Sequence, residues 1–336
     1  MSTTLNLTSR VYSIHTLTPL HVGSGEGAGG IDLPIIREKV TEWPFVPGST
    51  IKGVKRSYYE LQSHHQVEDW FGHHMQQEAD ASAGALVFSD ARLLAFPVAS
   101  RFGTFAYVTC PLAIERFHRD LAAAGQHVPI QSTWLQHQQQ LNDPDEAKVI
   151  VCEKSQVCEK QSRSESNQRS TYAKSVSTDK VFLDELEADS MVDASFTQWA
   201  EWSGSFLFGV EDSFFNKQWW REHLVMVSDE LFQHIVNLSC EVISRIRMDE
   251  QTGTVKRGAL WNEEYIPTEA ILYGLIWCDR VKGSSNLQLR EDMLNQLHTS
   301  TVLQIGGNAS VGKGRVQFRV HTLNDITVPL TGRGDA

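Results

Sequence analysis

Five glycines fall within eight residues: Gly23, Gly25, Gly27, Gly29 and Gly30. Regular structure does not continue through such a run, because glycine loses more conformational freedom on ordering than any other residue. What the run offers is a loop whose backbone another group can approach closely. It follows Val11–Val22, where Val11, Ile14 and Leu17 give an imperfect strand alternation limited by Pro19. Gly25-Glu26-Gly27-Ala28-Gly29-Gly30 fits the GxGxxG spacing. A dinucleotide site needs a helix opening at the third glycine, so that its N-terminus meets the pyrophosphate. Here Ile31-Asp32-Leu33-Pro34 follows, which is extended and starts no helix. The dinucleotide reading is therefore rejected. Gly307-Asn308-Ala309-Ser310-Val311-Gly312-Lys313 likewise fits a P-loop up to its lysine, but Gly314 stands where Ser or Thr must hold magnesium.

Between these glycine clusters the elements alternate irregularly. Pro44 and Pro47-Gly48 turn the chain, and Ser49 is placed to cap a helix over Thr50–Gln62. Ile51, Val54, Tyr58 and Leu61 form its apolar face, with Lys52, Lys55 and Arg56 on the remaining surface. Strands are expected at Ala85–Phe88, Phe102–Thr109, Lys148–Cys152, Lys180–Leu186 and Gly314–Val320. Helices are expected at Leu112–Ala124, Leu231–Cys240 and Arg290–Leu297. Val242–Met248 and Thr254–Ala259 form a hairpin around Asp249–Gly253, while Thr268–Val281 mixes strand and helix signals. The polar, serine-rich Ser162–Ser177 reads as the tip of a hairpin or an insertion. Such an order favours α+β over a doubly wound parallel sheet.

The 336 residues allow roughly two domains. Lys plus Arg is 30 and Asp plus Glu is 41, a net charge of −11, which argues against a general polyanion binder. Local fields differ. Gly307–Arg319 holds three cations and no acid, and Arg37–Arg56 carries a net +3. Glycine-loop amides, a helix N-terminus and nearby lysines make phosphate seats, so these stretches point to RNA or DNA backbone. The alternative is two ordinary turns and a solvated helix face. No run reaches the roughly 18 apolar residues of a membrane span, and Met1–Arg10 has no apolar signal core. Five cysteines without a CxxC are expected to be reduced thiols in a cytoplasmic protein. His64-His65 and His73-His74 are expected to be ordinary histidines around a Trp70-Phe71 core rather than metal ligands. Glu263-Glu264-Tyr265, taken alone, is surface charge beside a phenol.

Several separated blocks resemble one family. They are Leu20-His21-Val22-Gly23-Ser24-Gly25, Ile31-Asp32-Leu33-Pro34-Ile35 and Pro47-Gly48-Ser49-Thr50-Ile51-Lys52-Gly53, then Phe88–Pro97, Arg245-Ile246-Arg247, Gly258–Pro267 and Ile305–Gly314. Together they resemble the repeated, RNA-cutting backbone subunit of the type III-B CRISPR Cmr complex, a RAMP protein. The resemblance implies an α+β, RRM-like (ferredoxin-like) palm with an inserted thumb hairpin and helical insertions, one RAMP fold over residues 1–336. The thumb is expected at about 148–187. Copies would stack as a helical filament on CRISPR RNA, with other Cmr subunits and complementary target RNA as partners and no membrane.

Asp32 matches the residue the family needs for cutting, and His21, Glu263 and Tyr265 match residues implicated nearby, as catalysts or as shapers of the site. The implied reaction is metal-dependent attack of a ribose 2′-OH on the adjacent phosphate, with Asp32 as the Mg²⁺ or Mn²⁺ ligand or as proton acceptor. Ser49, Lys52, Lys55, Arg56, Gly307, Asn308, Lys313 and Arg315 are the expected RNA contacts, made to phosphate and sugar because the guide sequence varies. The competing readings are a non-catalytic guide-binding scaffold, the equivalent type III-A subunit and, more remotely, a P-loop nucleotidase.

Overall fold

A computed structural model describes residues 9–25, 27, 30–72, 83–126, 128, 130, 133–143, 147–159, 179–209, 216–249, 251–279, 287–297 and 299–321. The serine-rich segment, His73-His74 and Glu26, Ala28 and Gly29 of the glycine run lie outside them. In chain order the strands are β1 (Ser9–Thr16), β2 (Phe45–Val46), β3 (Leu86–Phe88), β4 (Ala91–Ala99), β5 (Phe105–Thr109), β6 (Lys148–Val151), β7 (Cys158–Glu159), β8 (Lys180–Leu183), β9 (Leu186–Val192), β10 (Leu224–Met226), β11 (Glu241–Met248), β12 (Val255–Tyr265), β13 (Ile271–Cys278), β14 (Ser300–Gln304) and β15 (Arg315–His321). The helices are α1 (Gly48–Leu61), α2 (Val67–Phe71), α3 (Pro111–Ala123), α4 (Gln138–Leu141), α5 (Ala194–Phe208), α6 (Lys217–His223), α7 (Asp229–Leu238) and α8 (Leu287–Asn295). The class is α+β, as expected.

Two compact units emerge. The first comprises residues 1–96, 115–128 and 236–336. Its strands run antiparallel in the order β14-β15-β1-β13-β4, with β2 on β4 and β3 on β13. β1 lies inside this sheet, and Val11, Tyr12 and Ile14 are fully buried. Buried on both faces, a central strand loses the polar alternation of a half-exposed one. Tyr12 crosses β13 at Gly274 and donates to the Ser89 carbonyl at 2.7 Å. A Cβ on Gly274 would stand 2.3 Å from the Tyr12 oxygen, so only glycine lets the phenol pass. Thr268–Val281, ambiguous in sequence, contributes the strand β13.

α1 departs from expectation in two ways. It begins at Gly48 after Pro47, which has no capping side chain; Asp90 Oδ1, distant in sequence, takes the Gly48 N–H at 2.8 Å. Ser49 lies within the first turn. Its buried stripe is Ile51, Lys55 and Tyr59, while Leu61 is 88% exposed. The spacing i, i+4, i+8 is helical, but the middle position holds a lysine, so apolar residues alone located the wrong face. Lys55 is not a surface cation: its Nζ donates to Thr301 Oγ1 at 3.4 Å and lies 4.8 Å from the centroid of the Phe318 ring.

The second unit comprises residues 97–114 and 129–235. Here β10 pairs parallel with β5 and antiparallel with β6. β6 pairs parallel with β9, and β8 antiparallel with both β9 and β7. β6 and β8 are therefore not hairpin partners; the strands flanking the serine-rich segment are β7 and β8. α5 brings Phe196, Trp199, Ala200 and Phe206 into the core, and Asp193 caps it by accepting from the Phe196 N–H at 2.8 Å. All five cysteines are buried and unpaired with one another, in keeping with the expected thiols. Among the described residues no helix is long and apolar enough to cross a membrane.

Candidate active site

β11 and β12 form a two-stranded ribbon in the first unit, longer than expected: the ladder runs on to Glu241 opposite Tyr265. Strand alternation puts Arg245, Trp261, Glu263 and Tyr265 on one face. Val242, Ile246, Met248, Val255 and Leu260 are each at least half exposed on the paired positions of the other. The register shifts between Ile246 and Met248. Glu263, Glu264 and Tyr265, expected as surface charge, are buried.

Glu263 accepts four donors. Trp261 Nε1 reaches Oε1 at 2.8 Å, and Oε2 takes Arg245 Nε at 3.2 Å, Asn308 Nδ2 at 3.0 Å and the Tyr265 hydroxyl. Burial pushes this carboxyl up, but the bonds from Tyr265, Trp261 and Arg245 outweigh it and hold it below the ordinary range. The Tyr265 oxygen accepts from Arg245 Nη2 at 3.2 Å and Asn308 Nδ2 at 2.9 Å. Burial raises its pKa, and the neighbouring Glu263 raises it further, so the phenol stays protonated. Its one proton is given to Glu263 and its lone pairs are taken. Glu263 and Tyr265 are thus a saturated pair that holds shape.

Glu264 points the other way. Arg37 Nη2 donates to its Oε1 at 2.5 Å and the Ile35 N–H to its Oε2 at 3.0 Å. The same guanidinium donates to Asn237 Oδ1 at 2.9 Å and the Glu42 carbonyl at 2.8 Å, so Arg37 builds the unit.

Asp32 and His21 are held differently. Leu33 forms a parallel bridge to Glu263, with Leu33 N–H on the Asn262 carbonyl and Glu264 N–H on the Leu33 carbonyl, each 3.0 Å. That bridge brings Asp32 Oδ2 to the Asn262 N–H at 2.8 Å. His21 Nδ1 meets the Glu264 carbonyl at 2.7 Å. A carbonyl can only accept, so Nδ1 carries a proton, and in the neutral ring Nε2 presents a lone pair. Asp32 Oδ1 and His21 Nε2 have no hydrogen-bond partner among the described residues. Asp32 is exposed, and His21 half-buried.

The glycine loops close round His21. The Gly307 N–H donates to the His21 carbonyl at 3.0 Å, and a Cβ on Gly306, whose φ is +74°, would stand 2.1 Å from that oxygen. A Cβ on Gly23 would stand 3.0 Å from His21 Nε2. Lys313 Nζ lies 5.0 Å from the Tyr265 ring centroid, and the His21 ring lies 5.5 Å from it on centroids.

The four expected catalytic residues therefore converge on one stretch, Asn262–Tyr265. Of the expected RNA contacts, Gly307, Asn308 and Lys313 join them. Arg315 is exposed, next to the loop. α1 does not: Lys52 donates to the Leu86 carbonyl at 2.8 Å, Arg56 to Glu60 at 2.7 Å and the Gly72 carbonyl at 2.8 Å, and Lys55 is buried. Among the described residues no group of three or more His, Cys, Asp or Glu could hold a metal ion. Sequence reasoning gave no site role to Arg245 or Trp261. The i, i+2, i+4 spacing of Trp261, Glu263 and Tyr265 carried the signal, masked by ending the strand at Ala259.

Comparison with known proteins gives this geometry its context. Residues 13–317 match the model of the RAMP superfamily. The chain is 33% identical over 319 residues to the CRISPR system Cmr endoribonuclease Cmr4 of Pyrococcus furiosus, covering 94% of this chain and 95% of that protein. A crystal structure of oligomeric Cmr4 from Pyrococcus furiosus superposes with a TM-score of 0.63 at 26% identity, over 94% of this chain and 98% of that one. A chain of a type III-B Cmr-beta complex bound to cognate target RNA shares the fold, with a TM-score of 0.64 at 20% identity over 95% and 98%. With a family match across most of its length and a full-length relative at this identity, the chain belongs to the RAMP superfamily and, within it, to the Cmr4 family.

Proposed function

We propose that the chain is a backbone subunit of a type III-B CRISPR Cmr ribonucleoprotein, that it binds CRISPR RNA, and that it cuts complementary target RNA at regular intervals. In this reading copies of the chain stack along the guide beside other Cmr subunits. The order β15-β1-β13-β4, with α1 after β1 and α8 after β13, supports an RRM-like palm. Among the described residues the ribbon β11–β12 suits a thumb better than 148–187, because its strands pair with each other and leave an apolar face exposed. Near-complete coverage of a Cmr relative favours type III-B over type III-A.

One observation carries the catalytic reading. Asp32 and His21 are each fastened by one polar atom to the backbone of Asn262–Glu264, leaving a second polar atom of each unbound among the described residues, with His21 Nε2 beside Gly23. His21 Nε2 can take the 2′-OH proton as O2′ bonds to phosphorus, the P–O5′ bond breaks and O5′ is protonated as it leaves. The products are a 2′,3′-cyclic phosphate and a 5′-hydroxyl. Among the described residues Asp32 Oδ1 is the one carboxylate oxygen at the site without a protein donor, since Glu263 and Glu264 are saturated. A Mg²⁺ or Mn²⁺ ion can bind through one carboxylate and substrate phosphates, so Asp32 would hold it and RNA would complete it. The ion would supply charge neutralisation at the reacting phosphate. The RNA backbone would lie along the largely exposed Gly306–Arg315 loop, with Lys313 and Arg315 as its counter-charges.

The test is a reconstituted complex with guide and end-labelled complementary RNA, with magnesium or manganese, comparing wild type and Asp32→Ala. We expect a regular ladder that vanishes in the variant while assembly is intact. An unchanged ladder would make this chain a guide-binding scaffold.

A further inference from the structure

We propose that Asn308 is a positioning residue that ties cutting to the seating of the glycine loop; this rests on the function proposed above. Asn308 sits in the left-handed region, φ 63° and ψ 27°, at the head of the turn Ala309–Val311. Asparagine tolerates that conformation better than most residues. Its carbonyl takes the Val311 N–H at 3.1 Å and the Lys313 N–H at 3.2 Å, so the same residue organises the turn. Its amide nitrogen donates to Glu263 Oε2 and to the Tyr265 oxygen, at 3.0 and 2.9 Å.

Glu263 Oε2 and the Tyr265 oxygen are bonded to each other, so one edge of the Asn308 amide faces both and fastens the loop to the pair. The loop thus reaches the site at two points at once. Gly307 N–H holds the His21 carbonyl, and Asn308 bridges the Glu263–Tyr265 pair, whose strand holds Asp32 and the His21 ring. Whatever seats this loop sets the spacing of the reacting groups. Guide backbone lying on it would do so, and an empty loop would leave the site less ordered.

The experiment uses the reconstituted complex and three chains: wild type, Asn308→Ala and Asn308→Asp. Guide affinity, target affinity and single-turnover cutting at saturating target are measured for each, with Asp32→Ala as the inactive reference. Asn308→Ala should cut about 10- to 100-fold more slowly, with both affinities within about twofold of wild type. Asn308→Asp sets carboxylate against carboxylate and should be slower still. Wild-type cutting by Asn308→Ala, a loss that tracks guide affinity, or cutting by Asn308→Asp no slower than by Asn308→Ala would each overturn the proposal. An inactive wild type, or cutting by Asp32→Ala, would place the failure in the functional reading and remove the basis of this one.

Discussion

Lys55 offers the sharpest test of the structural reading, because a residue expected on the RNA-binding surface lies wholly inside the first unit. Burial lowers its ammonium from 10.5 to about 8. That difference of about 2.5 units corresponds to roughly 3 kcal/mol at 1.36 kcal/mol per unit. The sign follows from proton counting. Between pH 8 and 10.5 the unfolded chain binds the proton and the folded chain does not, so stability rises with pH across this window. Below pH 8 the folded chain carries the full cost of a buried charge. The rings of Tyr58, Tyr59 and Phe318, with centroids 5.1, 5.2 and 4.8 Å from Nζ, offset part of it. Lys55→Met keeps the volume and removes the charge. It should stabilise the chain by about 1–3 kcal/mol at pH 7 and by much less at pH 10.5. Urea unfolding of both proteins at the two pH values measures the gap, and guide affinity should be unchanged. A variant less stable at pH 7, or a gap independent of pH, would refute the burial argument; a loss of guide affinity would return Lys55 to the RNA surface.

Two further outcomes concern the frame. Gly274→Ala places a Cβ against the Tyr12 phenol in the central sheet and should cost about 3 kcal/mol by denaturant unfolding; a neutral result would mean that Tyr12 does not cross β13 there. Asp193→Ala removes the cap of α5 and should cost about 1 kcal/mol at pH 7. Burial raises the Asp193 carboxyl, but bonds from Ser195 and the Phe196 N–H outweigh it and lower it. Its contribution is therefore present above the ordinary carboxylate pKa of about 4 and lost as pH falls through the lowered folded value. Unfolding midpoints of the two proteins should converge as pH falls through that lowered value, and a constant gap would contradict an ionised cap.

What the sequence made legible was mostly local. The helix over Pro111–Ala123, the hairpin around Asp249–Gly253 and the closing strand all carry turn or capping signals within a few residues. The site was legible only through family resemblance, because Asp32 and His21 lie about 230 residues from the segment that holds them. Composition also misled in one direction. Lys55 and the Glu263-Glu264 pair read as surface because charged side chains usually are, and each is buried with partners that only the fold supplies. Parallel partners such as β6 and β9 leave no turn between them to announce the pairing.

The register shift between Ile246 and Met248 lies between the ribbon's turn and the four side chains at its base. On a strand, a slip of one residue exchanges the two faces, which here would turn Arg245, Glu263 and Tyr265 outward and Ser244, Ile246, Leu260 and Asn262 inward. Between Leu260 and Val255 β12 spends five residues against the two from Ile246 to Met248 on β11, and such an irregularity stops that exchange from propagating. A change of length in the turn around Asp249–Gly253 can therefore be taken up at the irregularity before it reaches Arg245, Glu263 and Tyr265, so the phase of the base is mechanically decoupled from the turn along one ribbon.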